Sequence, residues 1–154
     1  MKFLLDKKVN INIRDENKAN ALYYAIDNET VYEMYDICQM LVNNGSVINI
    51  ETINGSTPLW RAIERQQVGV VQLLCEQDLS VNVANKLTGD TPLHLAVRMK
   101  NRQIIRILME KFARTDKRNK KNLTPYDLMK EDADLLDFLR KLEVTQKVDY
   151  GNIF

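Results

Sequence analysis

A short segment recurs along this chain at a nearly constant spacing, and this repetition restricts the fold more than any other feature. The segment GSTPLWRAI begins at residue 55, GDTPLHLAV at residue 89 and NLTPYDLMK at residue 122. Their Thr-Pro pairs lie 34 and 33 residues apart, and a looser copy, KANALYYAI, begins at residue 18. Self-similarity at this period predicts an array of stacked structural units.

The Thr-Pro pairs predict where helices begin. Thr57 and Thr91 are suited to cap a helix, and the proline after each takes the first helical position, where a missing N–H costs little. In the copy that begins at residue 89, a polar break at Lys100 and Asn101 precedes the apolar pattern IIRILM, which indicates a second helix. Each copy therefore predicts two consecutive helices.

The segments that connect one copy to the next have a different pattern. SVINIETINGS and SVNVANKLTGD alternate apolar and polar residues and place Gly55 or Gly89 near their ends, as expected of an extended loop closed by a tight turn. The small residues Ala62 and Ala96 allow neighbouring helices to approach closely. One unit is thus helix, turn, helix and projecting loop, and such units must stack to bury their apolar faces.

This pattern resembles the ankyrin-repeat family, whose motif runs roughly as GxTPLHLAAxxGHxxIVxLLLxxGADVN. Residues 55–82 and 89–116 follow the motif without gaps, and the resemblance extends from about Val9 to about Leu142. It implies an all-α fold, a solenoid of stacked helix-turn-helix units with projecting β-hairpin-like loops.

We interpret residues 1–154 as a single domain. Its predicted parts are a partial N-terminal repeat (1–15), repeat 1 with about four extra residues around Asp27 to Tyr35 (16–51), repeat 2 (52–85), repeat 3 (86–118), a C-terminal capping repeat (119–144) and a tail (145–154). The segment VTQKVDYGNIF at the end shows little helical pattern. Apolar residues of the incomplete first unit, Phe3, Leu4 and Leu5, predict either continuation into a longer protein or self-association at that end.

Composition restricts the compartment and the partners. The net charge of +1 gives no overall attraction to nucleic acid or membrane, and no apolar run is long enough to span a bilayer. We expect a soluble, cytoplasmic protein, with the host cytosol as the location of a secreted effector. Cys38 and Cys75 are expected to be reduced, buried thiols.

His94 is the single histidine, and the sequence favours a structural role for it. In ankyrin repeats the histidine at this position forms hydrogen bonds within and between turns, while Tyr23 and Trp60 take its place in the other copies. Phosphate-loop, dinucleotide, zinc-protease and nucleophile-elbow motifs are absent from the sequence. We expect no catalytic, cofactor-binding or metal-binding residues, no cofactor and no enzymatic activity.

The resemblance implies a module that binds a protein partner through the concave face, formed by the loop tips and the adjoining first helices. The predicted partner-binding residues are Arg14, Glu16, Asn17, Glu51, Ile53, Asn54, Glu64, Arg65, Lys86, Thr88, Arg98, Met99, Lys117, Arg118, Lys120 and Lys121. The alternative is a stand-alone inhibitor or effector-type decoy that blocks a host or cellular enzyme by occupying it. For Trp60, packing between repeats is favoured over an exposed binding anchor.

The fourth loop, DKRNKKN, is strongly basic, and we expect Arg98, Arg102 and Arg114 near it. Such a surface would attract a partner with an acidic segment, chiefly by raising the association rate. The competing interpretation is an ordinary solvated loop. A nucleic-acid or lipid ligand is not expected, because the loop has neither aromatic platforms nor a wider basic stripe.

Overall fold

A computed structural model describes residues 10–28, 31–77 and 79–151, so the prediction for Phe3, Leu4 and Leu5 lies outside the described residues. Within these ranges the chain forms α-helices and no β-strand, as expected of the all-α repeat fold. The helices are α1 (Ala21–Asp27), α2 (Val31–Asn43), α3 (Pro58–Glu64), α4 (Val68–Cys75), α5 (Pro92–Arg98), α6 (Arg102–Glu110) and α7 (Ala133–Gly151), with a 3₁₀ helix at Asp127–Met129.

The chain forms two compact units, an N-terminal unit of residues 1–79 and a C-terminal unit of residues 80–154. In the N-terminal unit, α1 packs on α2 and α3, and α4 packs on both α2 and α3. In the C-terminal unit, α6 packs on α5 and α7, and the 3₁₀ helix packs on α5 and α7.

The helix starts follow the predicted capping. The Asn20 side chain accepts a hydrogen bond from the Tyr23 amide at 3.1 Å, and the Thr57 hydroxyl accepts one from the Trp60 amide at the same distance. Thr91 and His94 form a reciprocal capping box at the start of α5. Each bond satisfies an amide that has no partner inside its helix, so these polar residues fix where the helices begin.

Apolar burial holds each unit together. Ile63 and Leu74 in the N-terminal unit are fully buried, as are Ile104 and Leu108 in the C-terminal unit. Burial of one such side chain contributes about 1.5 to 3 kcal/mol. The small residues Ala62 and Ala96, expected at close helix contacts, are also fully buried, and the thiols of Cys38 and Cys75 are buried as expected.

Two asparagines that the sequence analysis did not single out fasten neighbouring loops to each other. The Asn12 amide donates to the Gly45 carbonyl at 3.0 Å, and its oxygen accepts from the Val47 amide at 2.7 Å. Asn82 repeats this arrangement with the Phe112 carbonyl and the Arg114 amide, at 3.1 and 2.8 Å. Each asparagine thus supplies both partners for backbone groups that would otherwise lack them.

The prediction for the segment after residue 144 was wrong as far as Gly151, because α7 continues through it. Gln146 and Lys147 are good helix formers, no proline interrupts the stretch, and adding a residue to an existing helix costs much less than starting a new one. A hydrogen bond from the Thr145 hydroxyl to the Lys141 carbonyl, 3.0 Å, lies along this continuation. None of the helices in the described ranges, α7 included, has the length and apolar character needed to cross a membrane.

Candidate functional site

Four loops end in tight turns, which we call fingertips 1 to 4 (residues 15–19, 52–56, 85–90 and 119–123). A backbone hydrogen bond of 2.8 to 3.0 Å closes each one, from Asp15 to Ala19, Thr52 to Ser56, Asn85 to Asp90 and Asn119 to Leu123. The first residue of each fingertip also accepts loop amide hydrogen bonds with its side chain. These local bonds give the fingertips fixed shapes, hairpin-like as the sequence predicted.

Within each unit the two fingertips are joined to each other. The Ile53 amide donates to the Asn17 carbonyl at 3.0 Å, and the Lys120 amide donates to the Thr88 carbonyl at 3.0 Å. Gly89 shows how close the second pair lies, because a Cβ there would be 2.7 Å from the Lys120 nitrogen. Its φ of +74° also favours glycine.

In the N-terminal unit, Arg14 links fingertip 1 to the loop that leads into fingertip 2. Its guanidinium donates to the Lys18 carbonyl and to the Glu51 carbonyl, both at 2.8 Å. Glu16 and Asn17 are exposed, and Ile53 is 55% exposed. The predicted residues of this unit therefore include one structural arginine and an exposed apolar side chain at the tip.

A network on α1 and α3 occupies two other predicted binding residues. Arg61 and Arg65 both donate to one oxygen of Asp27, and Glu64 accepts from Arg61 at 3.1 Å and from the Trp60 indole at 3.0 Å. Burial alone would raise the pKa of Asp27, but the hydrogen bonds from Arg65 and Arg61 outweigh it and hold that pKa below its usual value. Trp60 is only 7% exposed, which confirms that it packs inside the fold.

In the C-terminal unit, fingertips 3 and 4 and helix α5 enclose a cleft of about 400 Å³. Four predicted binding residues line it, although they come from three separate stretches of sequence: Thr88, Arg98, Lys120 and Lys121. The other lining residues are Leu87, Asp90, Asn119, Leu123 and Leu128. Leu87, which the sequence analysis did not select, is 62% exposed and gives the cleft an apolar rim.

Asp90 organises the wall of this cleft. Its buried carboxylate accepts from the Asn119 amide at 2.6 Å and from the Arg98 guanidinium at 2.9 Å. Burial works to raise the pKa of Asp90, but these two hydrogen bonds and the charge of Arg98 lower it below its usual value. Asp90 therefore stays ionised and fixes both α5 and fingertip 4. The sequence contains a signal for this role. Asp90 directly precedes a Thr-Pro pair, whereas the other two Thr-Pro pairs follow Ser56 and Leu123.

Only part of the basic run at residues 117–121 faces outward. Arg118 donates to the Asn122 carbonyl at 2.8 Å, and the Lys120 ammonium donates to the Lys86 carbonyl. Among the residues that the structure describes, the Lys117 and Lys121 ammonium groups have no hydrogen-bond or ion-pair partner. The basic run is thus partly structural, and two lysines carry the charge available to a ligand.

The arginines expected beside this loop lie in different places. Arg98 lines the cleft, as expected. The Arg102 guanidinium lies 5.3 Å from the centre of the Phe138 ring on α7, and Arg114 pairs with Asp116 at 2.6 Å. Arg114 therefore lies beside the loop as expected, since Asp116 is the first residue of DKRNKKN, whereas Arg102 lies against α7 instead. Met99, at the end of α5, is half-buried and is not among the residues that line the cleft.

His94 is fully buried, and both its ring nitrogens are used. Nδ1 accepts from the Thr91 amide at 3.1 Å, so Nε2 carries the proton and donates to the Leu123 carbonyl at 2.9 Å. His94 thereby ties α5 to the end of fingertip 4, which is the structural role implied by the resemblance. The described residues contain no group of three or more His, Cys, Asp or Glu side chains that could hold a metal ion.

A family model of ankyrin repeats, in three copies, matches residues 29–121, more than half of the chain. BRCA1-associated RING domain protein 1 of Caenorhabditis elegans is 33% identical over 107 residues, which cover 70% of this chain and 15% of that protein. Putative ankyrin repeat protein FPV034 of fowlpox virus is 31% identical over 109 residues, covering 71% of this chain and 24% of that protein.

The 2-5A-dependent ribonuclease of Mus musculus is 34% identical over 71 residues, which cover 46% of this chain and 10% of that protein. All three relatives are much longer than the segment that matches. This chain spans 10 to 24% of their length.

Proposed function

We propose, from the premise that this chain belongs to the ankyrin-repeat family, that it binds an acidic segment of a protein partner in the cleft of its C-terminal unit. Ankyrin repeats are generally protein-protein interaction modules and are typically non-enzymatic. The observation that carries the proposal is that the cleft brings together Thr88, Arg98 and Lys121 from distant parts of the sequence.

Charge supports an acidic ligand. Lys117 and Lys121 have unpaired ammonium groups among the described residues, and the side chain of Arg98 is 49% exposed although it bonds Asp90. A guanidinium has five N–H donors, so Arg98 can hold Asp90 and still donate to a ligand carboxylate. Charges at the rim of such a site act mainly on the association rate and on the choice of partner.

The exposure of Leu87 indicates that the ligand has an apolar side chain next to its acidic residues. It is 62% exposed at the cleft rim, where it has no function in the core. Covering a leucine side chain contributes about 1.5 to 3 kcal/mol when burial is complete. The ligand that fits is a segment in which carboxylates flank one apolar residue.

The rigidity of the cleft lowers the entropic cost of binding. Asn85 and Asn119 each accept two amide hydrogen bonds inside their own fingertips, and the Lys120 amide links the fingertips to each other. A surface that is already ordered loses little conformational freedom when a ligand binds. The buried thiols of Cys38 and Cys75, which form no disulfide, support a reducing compartment, such as the cytoplasm, for this interaction.

The experiment is affinity capture from cell lysate, with mass spectrometry of the bound proteins. The test variant carries Lys117→Glu and Lys121→Glu, which leaves the structural Arg118 and Lys120 in place. The matched control carries Lys111→Glu and Arg140→Glu, two exposed cations outside the cleft. We expect the control to retain the partner and the test variant to lose it.

Equal capture by the test variant and the control would overturn the proposal. Circular dichroism of both variants confirms that each is folded. Once a partner is identified, its binding to the purified chain is measured at increasing salt, because a charge-steered interaction weakens as ionic strength rises. If the partner is an enzyme, stoichiometric inhibition by the purified chain would identify the chain as an inhibitor or decoy.

A further inference from the structure

The two units of this chain carry opposite net charges, which the overall net charge of +1 conceals. Residues 1–79 contain 7 Lys and Arg against 11 Asp and Glu, a net charge of −4. Residues 80–154 contain 15 Lys and Arg against 10 Asp and Glu, a net charge of +5. We propose that fingertips 1 and 2 of one copy of this chain dock, through Glu16 and Ile53, in the cleft of a second copy.

Fingertips 1 and 2 present a carboxylate and an apolar side chain on one surface. Glu16 is exposed, and within the described ranges its carboxylate has no hydrogen-bond or ion-pair partner. Ile53 is 55% exposed. The Ile53 amide donates to the carbonyl of Asn17, the residue after Glu16, at 3.0 Å. This bond keeps Glu16 and Ile53 on adjoining tips.

The cleft presents the complementary pair. The Lys121 ammonium has no partner among the residues that the structure describes, and Leu87 is 62% exposed at the rim. The Lys120 amide donates to the carbonyl of Thr88, the residue after Leu87, also at 3.0 Å. The two fingertip pairs are therefore joined in the same way, which gives the acidic and apolar pair a spacing similar to that of the basic and apolar pair.

The order of the side chains also matches. In the N-terminal unit the charge is on the first fingertip of the pair, Glu16, and the apolar side chain is on the second, Ile53. In the C-terminal unit the apolar Leu87 comes first and the charged Lys121 second. When the two pairs meet in opposite directions, Glu16 of one copy faces Lys121 of the other, and Ile53 faces Leu87. The opposite orientation would place both charges against apolar side chains, so complementarity selects one register.

The other charges of fingertip 1 affect this contact in opposite ways. The hydrogen bond from the Tyr24 hydroxyl to Asp15, 2.5 Å, lowers the pKa of Asp15 and keeps this second carboxylate ionised. Arg14 donates to the backbone carbonyls of Lys18 and Glu51 at 2.8 Å. Lys18 is an exposed cation that opposes docking in a basic cleft. We therefore expect Lys18→Glu to strengthen self-association.

This inference rests on the proposed function, because a second copy supplies the kind of ligand that the cleft fits, carboxylates beside one apolar residue. The contact joins different surfaces of the two copies, so it is heterologous. Docking of a second copy occupies the cleft, and it therefore competes with an acidic partner. Binding of that partner should weaken as the concentration of this chain rises.

Sedimentation equilibrium of the purified chain at low ionic strength measures the docking. We expect the average mass to rise above the 17.9 kDa of one copy as the concentration increases. It should return towards that mass at about 0.5 M salt, where charges are strongly screened. A mass of 17.9 kDa at every concentration would overturn the inference. Capture of a lysate partner by such a monomeric chain would still support the proposed function, so the two failures are distinguishable.

Charge reversal tests the register. Glu16→Lys and Lys121→Glu should each lower the association constant at least ~10-fold, because each places like charges opposite each other. An equimolar mixture of the two variants restores opposite charges and should associate. The matched controls Glu110→Lys and Lys111→Glu make the same changes of net charge at exposed residues that do not line the cleft, and they should behave like the unmodified chain. Association retained by both test variants, or a mixture that stays monomeric, would overturn the inference.

Discussion

The side chain of Asn119 connects the shape of fingertip 4 to the wall of the cleft, and its removal is the most informative single change. Asn119 is 7% exposed. Its amide nitrogen donates to the Asp90 carboxylate at 2.6 Å, and its oxygen accepts from the Lys121 and Leu123 amides at 2.9 and 3.0 Å. Asn119→Ala removes all three bonds and leaves a buried carboxylate with one fewer donor.

The size of the effect follows from the kinds of bonds. A hydrogen bond to a charged group contributes about 1.5 to 3 kcal/mol, and each bond to a backbone amide contributes about 0.5 to 1.5 kcal/mol. We therefore expect Asn119→Ala to lower the free energy of unfolding by roughly 3 to 5 kcal/mol. For a chain of this size the midpoint of thermal unfolding falls by roughly 10 °C.

Urea unfolding followed by circular dichroism measures this loss. Asn17→Ala is the matched control, because Asn17 is an exposed asparagine whose side chain bonds only other exposed side chains, Asp15 at 3.5 Å and Tyr24. The control should remain within about 0.5 kcal/mol of the unmodified protein. A loss below about 1 kcal/mol for Asn119→Ala would refute the reasoning, since it would mean that Asp90 and the loop amides find other partners.

Three further changes test other parts of the structure. His94→Leu should lower the free energy of unfolding by about 2 to 4 kcal/mol in urea titration, because it leaves the buried Thr91 amide without a partner and removes one of the two donors to the Leu123 carbonyl. An effect below about 1 kcal/mol would contradict the structural role. Leu87→Ser should weaken binding of a captured partner about 10-fold, measured by calorimetry, with the unfolding midpoint unchanged. The lowered pKa of Asp90 stabilises the fold above the unfolded pKa near ~4, and this stability is lost as pH falls through the folded value. Asp90→Asn should therefore flatten the acid part of the stability profile, and an unchanged profile would contradict this.

The features that local chemistry decides could be predicted from the sequence. Thr57 and Thr91 start helices because a hydroxyl beside a helix start accepts an amide hydrogen bond in almost any context. The capping inferences needed only residues within one turn of each other, so no knowledge of the tertiary structure was required. The structural role of His94 was implied by the resemblance to ankyrin repeats, and the structure adds that His94 completes the capping box with Thr91.

The orientation of the basic side chains could not be predicted. DKRNKKN indicates a concentration of positive charge, but Arg118 and Lys120 donate to backbone carbonyls of fingertip 4 and of the neighbouring loop. Arg102 was expected near this loop and lies against Phe138 instead. A charge count gives the number of cations in a segment, whereas these partners depend on which carbonyls and rings the fold brings close.

Within each fingertip the first residue closes the turn and the later residues are exposed at the tip. This difference explains why binding specificity can vary while the fold stays the same. A short polar residue stands first in all four turns, Asp15, Thr52, Asn85 or Asn119, and its side chain accepts the amide hydrogen bonds that close the loop. Only a side chain with an acceptor one or two bonds beyond Cβ can do this. The position therefore determines the shape of the turn and tolerates few other residues. The residues that follow it use mainly backbone atoms in the same bonds, so closing the turn does not require particular side chains there. The exposed tips therefore differ from repeat to repeat, acidic at Glu16, apolar at Ile53 and Leu87, and basic at Lys121, and a ligand can distinguish the fingertips by these side chains while their backbone shapes remain alike.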